Sequence, residues 1–208
     1  MKKRRHFSMR ILGIVILAIL VWSGIIAIIL YGLFKPEQEK ITKVRKYQYV
    51  LGADGKYKDN LLGYNNIFPD KIPDKAQVEE FYYQYYNPWD PNYLGYLVYT
   101  CDAETYEKEY QRLQGLESTS DNQVYGVKSF PYQLCAVTAN DYGLRYALAD
   151  GENHRLIYVE IAFCNYFTDI DYQKVIQQKY LPIGFDASSD NPVSEAFRKR
   201  IEEKERIR

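Results

Sequence analysis

The densest group of side chains able to bind something is aromatic. Phe81-Tyr82-Tyr83-Gln84-Tyr85-Tyr86 is followed by Trp89, Tyr93, Tyr96 and Tyr99, in a chain with 22 tyrosines. Tyrosine joins a broad apolar ring to a polar tip, which suits interfaces and flat polar ligands such as sugars. In an extended strand Phe81, Tyr83 and Tyr85 face one way and Tyr82 and Tyr86 the other. One set can fill a core. The other is left for solvent, a covering layer or a partner. Tyr82, Tyr86, Trp89 and Tyr93 are therefore the candidate ligand- or partner-contacting residues. The competing reading makes them ordinary sheet residues with wet hydroxyls.

Other reactive types are sparse. Cys101, Cys135 and Cys164 are odd in number and have no CxxC spacing, so neither a zinc ribbon nor a thioredoxin-type site is supported. A Cys101–Cys135 bridge is conceivable outside the membrane, but buried, unreactive thiols are the simpler expectation. A catalytic thiol needs a histidine. His154 follows Asp150-Gly151-Glu152-Asn153, whose residue types describe a turn. Asp169, Asp171, Glu160 and Asp90 could form a metal site or an acid pair for glycoside hydrolysis, but the calcium-loop pattern is absent. Caps and element ends account for them more simply. The sequence contains no P-loop, Rossmann glycine pattern, nucleophile elbow, HExxH or kinase signature. No cofactor or metal is expected, and zero net charge gives no case for nucleic acid.

The elements that position these residues begin with the clearest feature of the chain. Residues 11–34 are 24 uncharged, largely apolar residues. As a helix they would span about 36 Å, enough to cross a hydrocarbon core of roughly 30 Å with tilt. The run is too long for a cleaved signal peptide, and Lys35-Pro36-Glu37 offers no cleavage site. An uncleaved signal anchor is predicted, with residues 1–10 as a basic tail. The bilayer is then one partner, contacted through 11–34. Five basic residues precede the run and five follow it by Lys46, a tie in the positive-inside count. Their concentration in ten residues favours the N-terminus inside. All 27 acidic residues follow position 34, and five of the 27 basic ones precede it. The 22 remaining basic residues leave the rest of the chain at −5. Such a domain does not seek anionic lipid.

Residues 35–46 read as a juxtamembrane linker, 47–187 as an extracytoplasmic α+β domain, and 188–208 as a linker with a charged C-terminal helix. A short β-prone run covers 47–51. Strands are predicted at 78–86 and 93–101, joined by the Pro88–Pro91 turn, then at 124–128, 132–138, 142–149 and 155–163. A helix starts at the Asp102 cap, with Tyr106, Tyr110, Leu113 and Leu116 on one face. A second covers 171–180, and Pro192 opens the last. The expectation is a mostly antiparallel sheet of five or six strands carrying one or two helices on one face. With an anchor, an aromatic hairpin and no catalytic constellation, the expected role is a binding module of the cell envelope, directed at a polymer or a membrane protein. A carboxylate hydrolase and a structural subunit of a membrane complex are the alternatives.

Overall fold

The computed structural model describes residues 2–33, 35–118, 125–162, 170–188 and 191–206. The chain forms two units, Met1–Glu37 and Gln38–Arg208. The first is dominated by helix α1, Lys2–Leu33. Within it Ile14–Gly32, 19 residues, is long and apolar enough to cross a membrane, and every side chain of that stretch is exposed. Its hydroxyl at Ser23 bonds back to the Leu20 carbonyl at 2.9 Å, so this polar group is satisfied within the helix, as a lipid environment demands.

The second unit is an α+β domain built on a six-stranded antiparallel sheet. The strands are β1 (Glu37–Ile41), β4 (Gln77–Asn87), β5 (Asn92–Thr100), β6 (Gln133–Asn140), β7 (Gly143–Asp150) and β8 (Arg155–Ala162), in the order β1-β4-β5-β8-β7-β6. A two-stranded ribbon, β2 (Asp59–Asn60) with β3 (Gly63–Tyr64), stands apart. Helices α2 (Tyr47–Leu51), α3 (Ala103–Gln114), α4 (Tyr172–Val175) and α5 (Pro192–Arg206) complete it. The hairpin, the meander, the capped helix and the helix begun by Pro192 lie where sequence pattern puts them.

Four local expectations are corrected. The polar segment 35–46 contributes an edge strand rather than only a linker. Its charges are used: Glu39 accepts from the Tyr57 hydroxyl at 2.7 Å and from Lys56 at 3.1 Å, Lys40 lies 5.3 Å above the Tyr82 ring, and Ile41 is buried. Charge on an edge strand also discourages pairing with other chains. Residues 47–51 are helical, because Tyr47, Val50 and Leu51 at three- and four-residue spacing reach the core together. Of 124–128, Val124 lies outside the described residues and 125–128 is irregular, held by Lys128 N–H to the Ile183 carbonyl at 2.9 Å. The helix expected over 171–180 is one turn, α4, capped by Asp171, followed by a 3-10 turn at Gln178–Tyr180.

The sheet is covered on both faces, not one. Phe81, Tyr83, Tyr85, Leu97, Tyr99 and Tyr158 pack under α2, α3 and the 57–68 segment. Tyr82, Leu94, Val98, Tyr146, Val159 and Ile161 pack under Tyr125 and the 170–187 segment. This is why the second tyrosine set finds a covering layer. It also explains why the last three strands read as nearly continuous apolar runs.

One row of residues crosses four strands in register: Tyr83 on β4, Gly95 on β5, Glu160 on β8 and Arg145 on β7. Gly95 is the gap in that row. A Cβ there would lie 2.4 Å from Cδ2 of Tyr83, so only glycine lets the Tyr83 ring lie across β5 and reach Glu160. Gly95→Ala should therefore lower the unfolding free energy by about 1–3 kcal/mol, measured by urea denaturation of the full chain in detergent. The loss should be smaller in a Tyr83→Ala background, where the struck ring is gone. Equal losses in both backgrounds would place the strain elsewhere.

Candidate functional site

The aromatic hairpin divides its candidate residues among different surroundings. Tyr82 is buried on the face covered by 170–187, stacked on Tyr96 at 6.0 Å, with its hydroxyl on Gln84. Tyr93 is buried on the opposite face against Tyr57 and Tyr85, at 6.0 and 5.4 Å. Tyr86 is half-buried next to the turn. Trp89 is 81% exposed at the tip. The turn that carries it is closed by Asn92, whose side-chain amide donates to the carbonyls of Asp90 at 2.8 Å and Tyr86 at 3.2 Å. The hairpin thus presents one indole on a stiff mount, with Tyr86 beside its base.

The other candidates are occupied locally. Cys101 and Cys135 are free thiols, and burial pushes both up to about 11, far from the thiolate a nucleophile needs. Cys164 and Asp169 lie outside the described residues. His154 sits in the β7–β8 turn with φ 47°, its ring 5.4 Å from Tyr106. Asp171 caps α4 through the Gln173 N–H at 3.1 Å. Asp90 is exposed in the Trp89 turn. Among the described residues no three His, Cys, Asp or Glu side chains are grouped to hold a metal.

Glu160 is fully buried and belongs to a network that sequence reading did not assemble. Arg145 donates to its Oε1 from Nε at 2.9 Å and from Nη2 at 2.6 Å, and neither side chain is exposed. Tyr83 donates to Oε2 at 3.0 Å, and Asn60 to Oε1 at 2.9 Å. Arg145 also donates to Asn60 Oδ1 at 2.9 Å and to the Gly63 carbonyl at 3.3 Å. The buried charge is thereby paired and hydrogen-bonded on both sides, the condition for tolerating it. It clasps the β2–β3 ribbon to the sheet.

A second network docks α3. Arg112 binds Glu109 with both Nε and Nη2, at 2.8 and 2.7 Å, and the carbonyls of Asn66 and Ile67, both at 2.7 Å. Tyr158 donates to Glu109 at 2.7 Å, and Tyr99 lies 3.0 Å from the Tyr158 hydroxyl. On the outer side of this network an open cleft of about 600 Å³ runs between α3 and residues 73–75, with Lys75, Glu104, Lys108 and Arg112 on its walls. A second of about 340 Å³, walled by Tyr64, Lys71 and Leu116, shares Glu109 and Arg112. Both Glu109 oxygens are already spent on Tyr158 and Arg112, so the cleft offers polar hydrogen bonding rather than a free acid pair. Only the Glu109–Arg112 spacing could have hinted at this network in the sequence.

The chain matches no protein-family model, no curated protein and no solved structure.

The buried hydroxyls carry a pH consequence. Burial, aided by Glu160 at Tyr83 and by Tyr99 and Glu109 at Tyr158, raises these groups well above the ordinary tyrosine value. Tyr47 and Tyr146 are raised likewise, chiefly by burial. In the unfolded chain they ionise near about 10. Above that pH the unfolded state releases protons that the native state retains, so stability is full below about 10 and falls as pH rises. Four such groups give a slope of about 5 kcal/mol per pH unit. Tyrosinate absorbance should then rise steeply together with loss of far-ultraviolet circular dichroism between about pH 10 and 12. Smooth titration of all tyrosines with the dichroism intact would contradict the burial.

Proposed function

We propose that this chain is a single-pass membrane protein, N-terminus inside, whose α+β domain lies outside as an interaction module of the cell envelope. The hairpin end is its contact surface. The observation that carries this reading is Trp89: an indole left 81% exposed in a domain that buries most of its aromatic rings. A large amphipathic ring on a rigid turn gives contact area at little entropic cost, which is why tryptophan is favoured at binding surfaces. Tyr86 stands beside it, while Tyr82 and Tyr93 act from beneath by fixing the two strands. The helix Ile14–Gly32 supports the anchor. The basic tail before it supports the orientation. An envelope polymer, a membrane-protein partner and the bilayer itself can all be met by such an indole.

A photoreactive phenylalanine analogue at position 89 of the full chain, in intact cells, should give cross-linked adducts that the same group at exposed Glu152 does not. Equal yields at both positions would remove the hairpin end as the contact surface. In the same cells, added protease should digest a C-terminal tag. A tag digested only after lysis would put the domain inside and end the envelope reading.

A further inference from the structure

We propose that the sheet end bearing Trp89 rests in the headgroup layer of the bilayer, with Trp89 as an interfacial anchor. This rests on the membrane-anchored reading above and names the partner of the same surface.

The first support is the tether. Helix α1 ends at Leu33 and the domain begins at Gln38. Five residue steps span at most about 18 Å. The 19 apolar residues Ile14–Gly32 rise about 28 Å as a helix, close to the hydrocarbon thickness of roughly 30 Å. The point where the chain enters the domain is therefore held within reach of the headgroups.

The second is where in the fold that point lies. With β1 antiparallel to β4, Gln38 lies toward the Asn87 end of β4, the end that carries the Pro88–Pro91 turn. The register puts the start of β5, the end of β8 and the start of β7 at this same end, because Tyr93 pairs with Ala162 and Ala162 with Gly143. Tyr142, in the β6–β7 turn, is therefore a neighbour at this end and is 48% exposed. At the opposite end, none of the residues 100–106 and 150–155 is an exposed large apolar side chain, and Val44 and Tyr49, which follow β1, are 40% and 48% exposed against 81% for Trp89.

The third is the chemistry of the end. Tryptophan and tyrosine are the side chains that settle at the membrane–water boundary, rings among the glycerol and headgroups with their polar edge wet. The turn residues Asp90 and Asp141 are acidic and Lys35 and Lys40 stand where the chain enters this end, so the surface carries both signs, as a zwitterionic headgroup layer does. An indole and a phenol at one end of the sheet form a shallow foot suited to that layer.

The chain has two tryptophans, Trp22 in the helix and Trp89 in the turn, so each can be made the sole reporter. Full-length Trp22→Phe is reconstituted in phosphatidylcholine vesicles, with and without bromine on the upper acyl chain. Trp89 emission should shift to the blue, be quenched by the brominated lipid and be protected from aqueous iodide. Emission of a water-exposed indole, quenched by iodide alone, would overturn the proposal. A blue shift with neither quencher effective would overturn it too, since protein would then cover the indole. Full-length Trp89→Phe in vesicles brominated near the acyl-chain ends, the depth of mid-helix Trp22, separates the two levels of inference. Trp22 quenched by bromine while Trp89 is not would leave the anchor standing and remove only the docking. Trp22 unquenched would remove both.

Discussion

The Arg145–Glu160 pair is the constraint around which the domain is arranged. Two charges without solvent exposure are tolerated only when every strong donor and acceptor around them is met. Meeting them recruits residues from three places: Tyr83 from β4, Asn60 and the Gly63 carbonyl from the β2–β3 ribbon, and the space provided by Gly95 on β5. The clasp acts together with buried Leu62 and the Asn140 bond to the Leu61 carbonyl at 2.9 Å to hold the ribbon on the sheet. One carboxylate thus links a row of residues across four strands to the ribbon.

Tyrosine is the means by which so much polar linkage fits inside an apolar core. The ring buries area and the hydroxyl reaches a partner. Tyr47 reaches the Pro69 carbonyl at 2.5 Å, Tyr146 the Tyr180 carbonyl at 2.8 Å, and Tyr158 the Glu109 carboxylate. The first two bonds join α2 and the sheet to segments with little regular structure, and the third joins the sheet to α3. The covering segments 57–70 and 170–187 are therefore stapled at defined points, and the buried lysine Lys58, 2.6 Å from Asp70, adds another.

Local pattern in the sequence carried much of this architecture. Alternation placed Phe81, Tyr83 and Tyr85 opposite Tyr82, and the Asp102 cap and the Pro192 start follow from single residues. What escaped was set by tertiary partners. Nothing in the Glu37–Ile41 string announces a strand until Tyr57 and Tyr82 stand beside it. Nothing in Tyr47–Leu51 favours a helix over a strand until the core demands three residues on one side. At the candidate surface, the sequence singled out the aromatic hairpin, but burial is a property of what packs over a strand. The 170–187 layer that hides Tyr82 is eighty residues or more away in the chain. The Glu160 network was invisible for the same reason: its members lie 15 to 100 positions apart.

The strand order has a consequence for how the domain comes into being. Strand β8, the last in sequence among the described residues, lies in the interior of the sheet, between β5 and β7. Until residue 162 has left the ribosome, the β4–β5 hairpin and the β6–β7 hairpin have no shared edge. Arg145 is then an arginine without its carboxylate, and Tyr83 a phenol without its acceptor. Helix α1 will have been made long before, and the partly made sheet has two edges that await β8. Closure of the sheet therefore depends on long-range pairing made by its latest strand, the kind of non-local contact that slows folding.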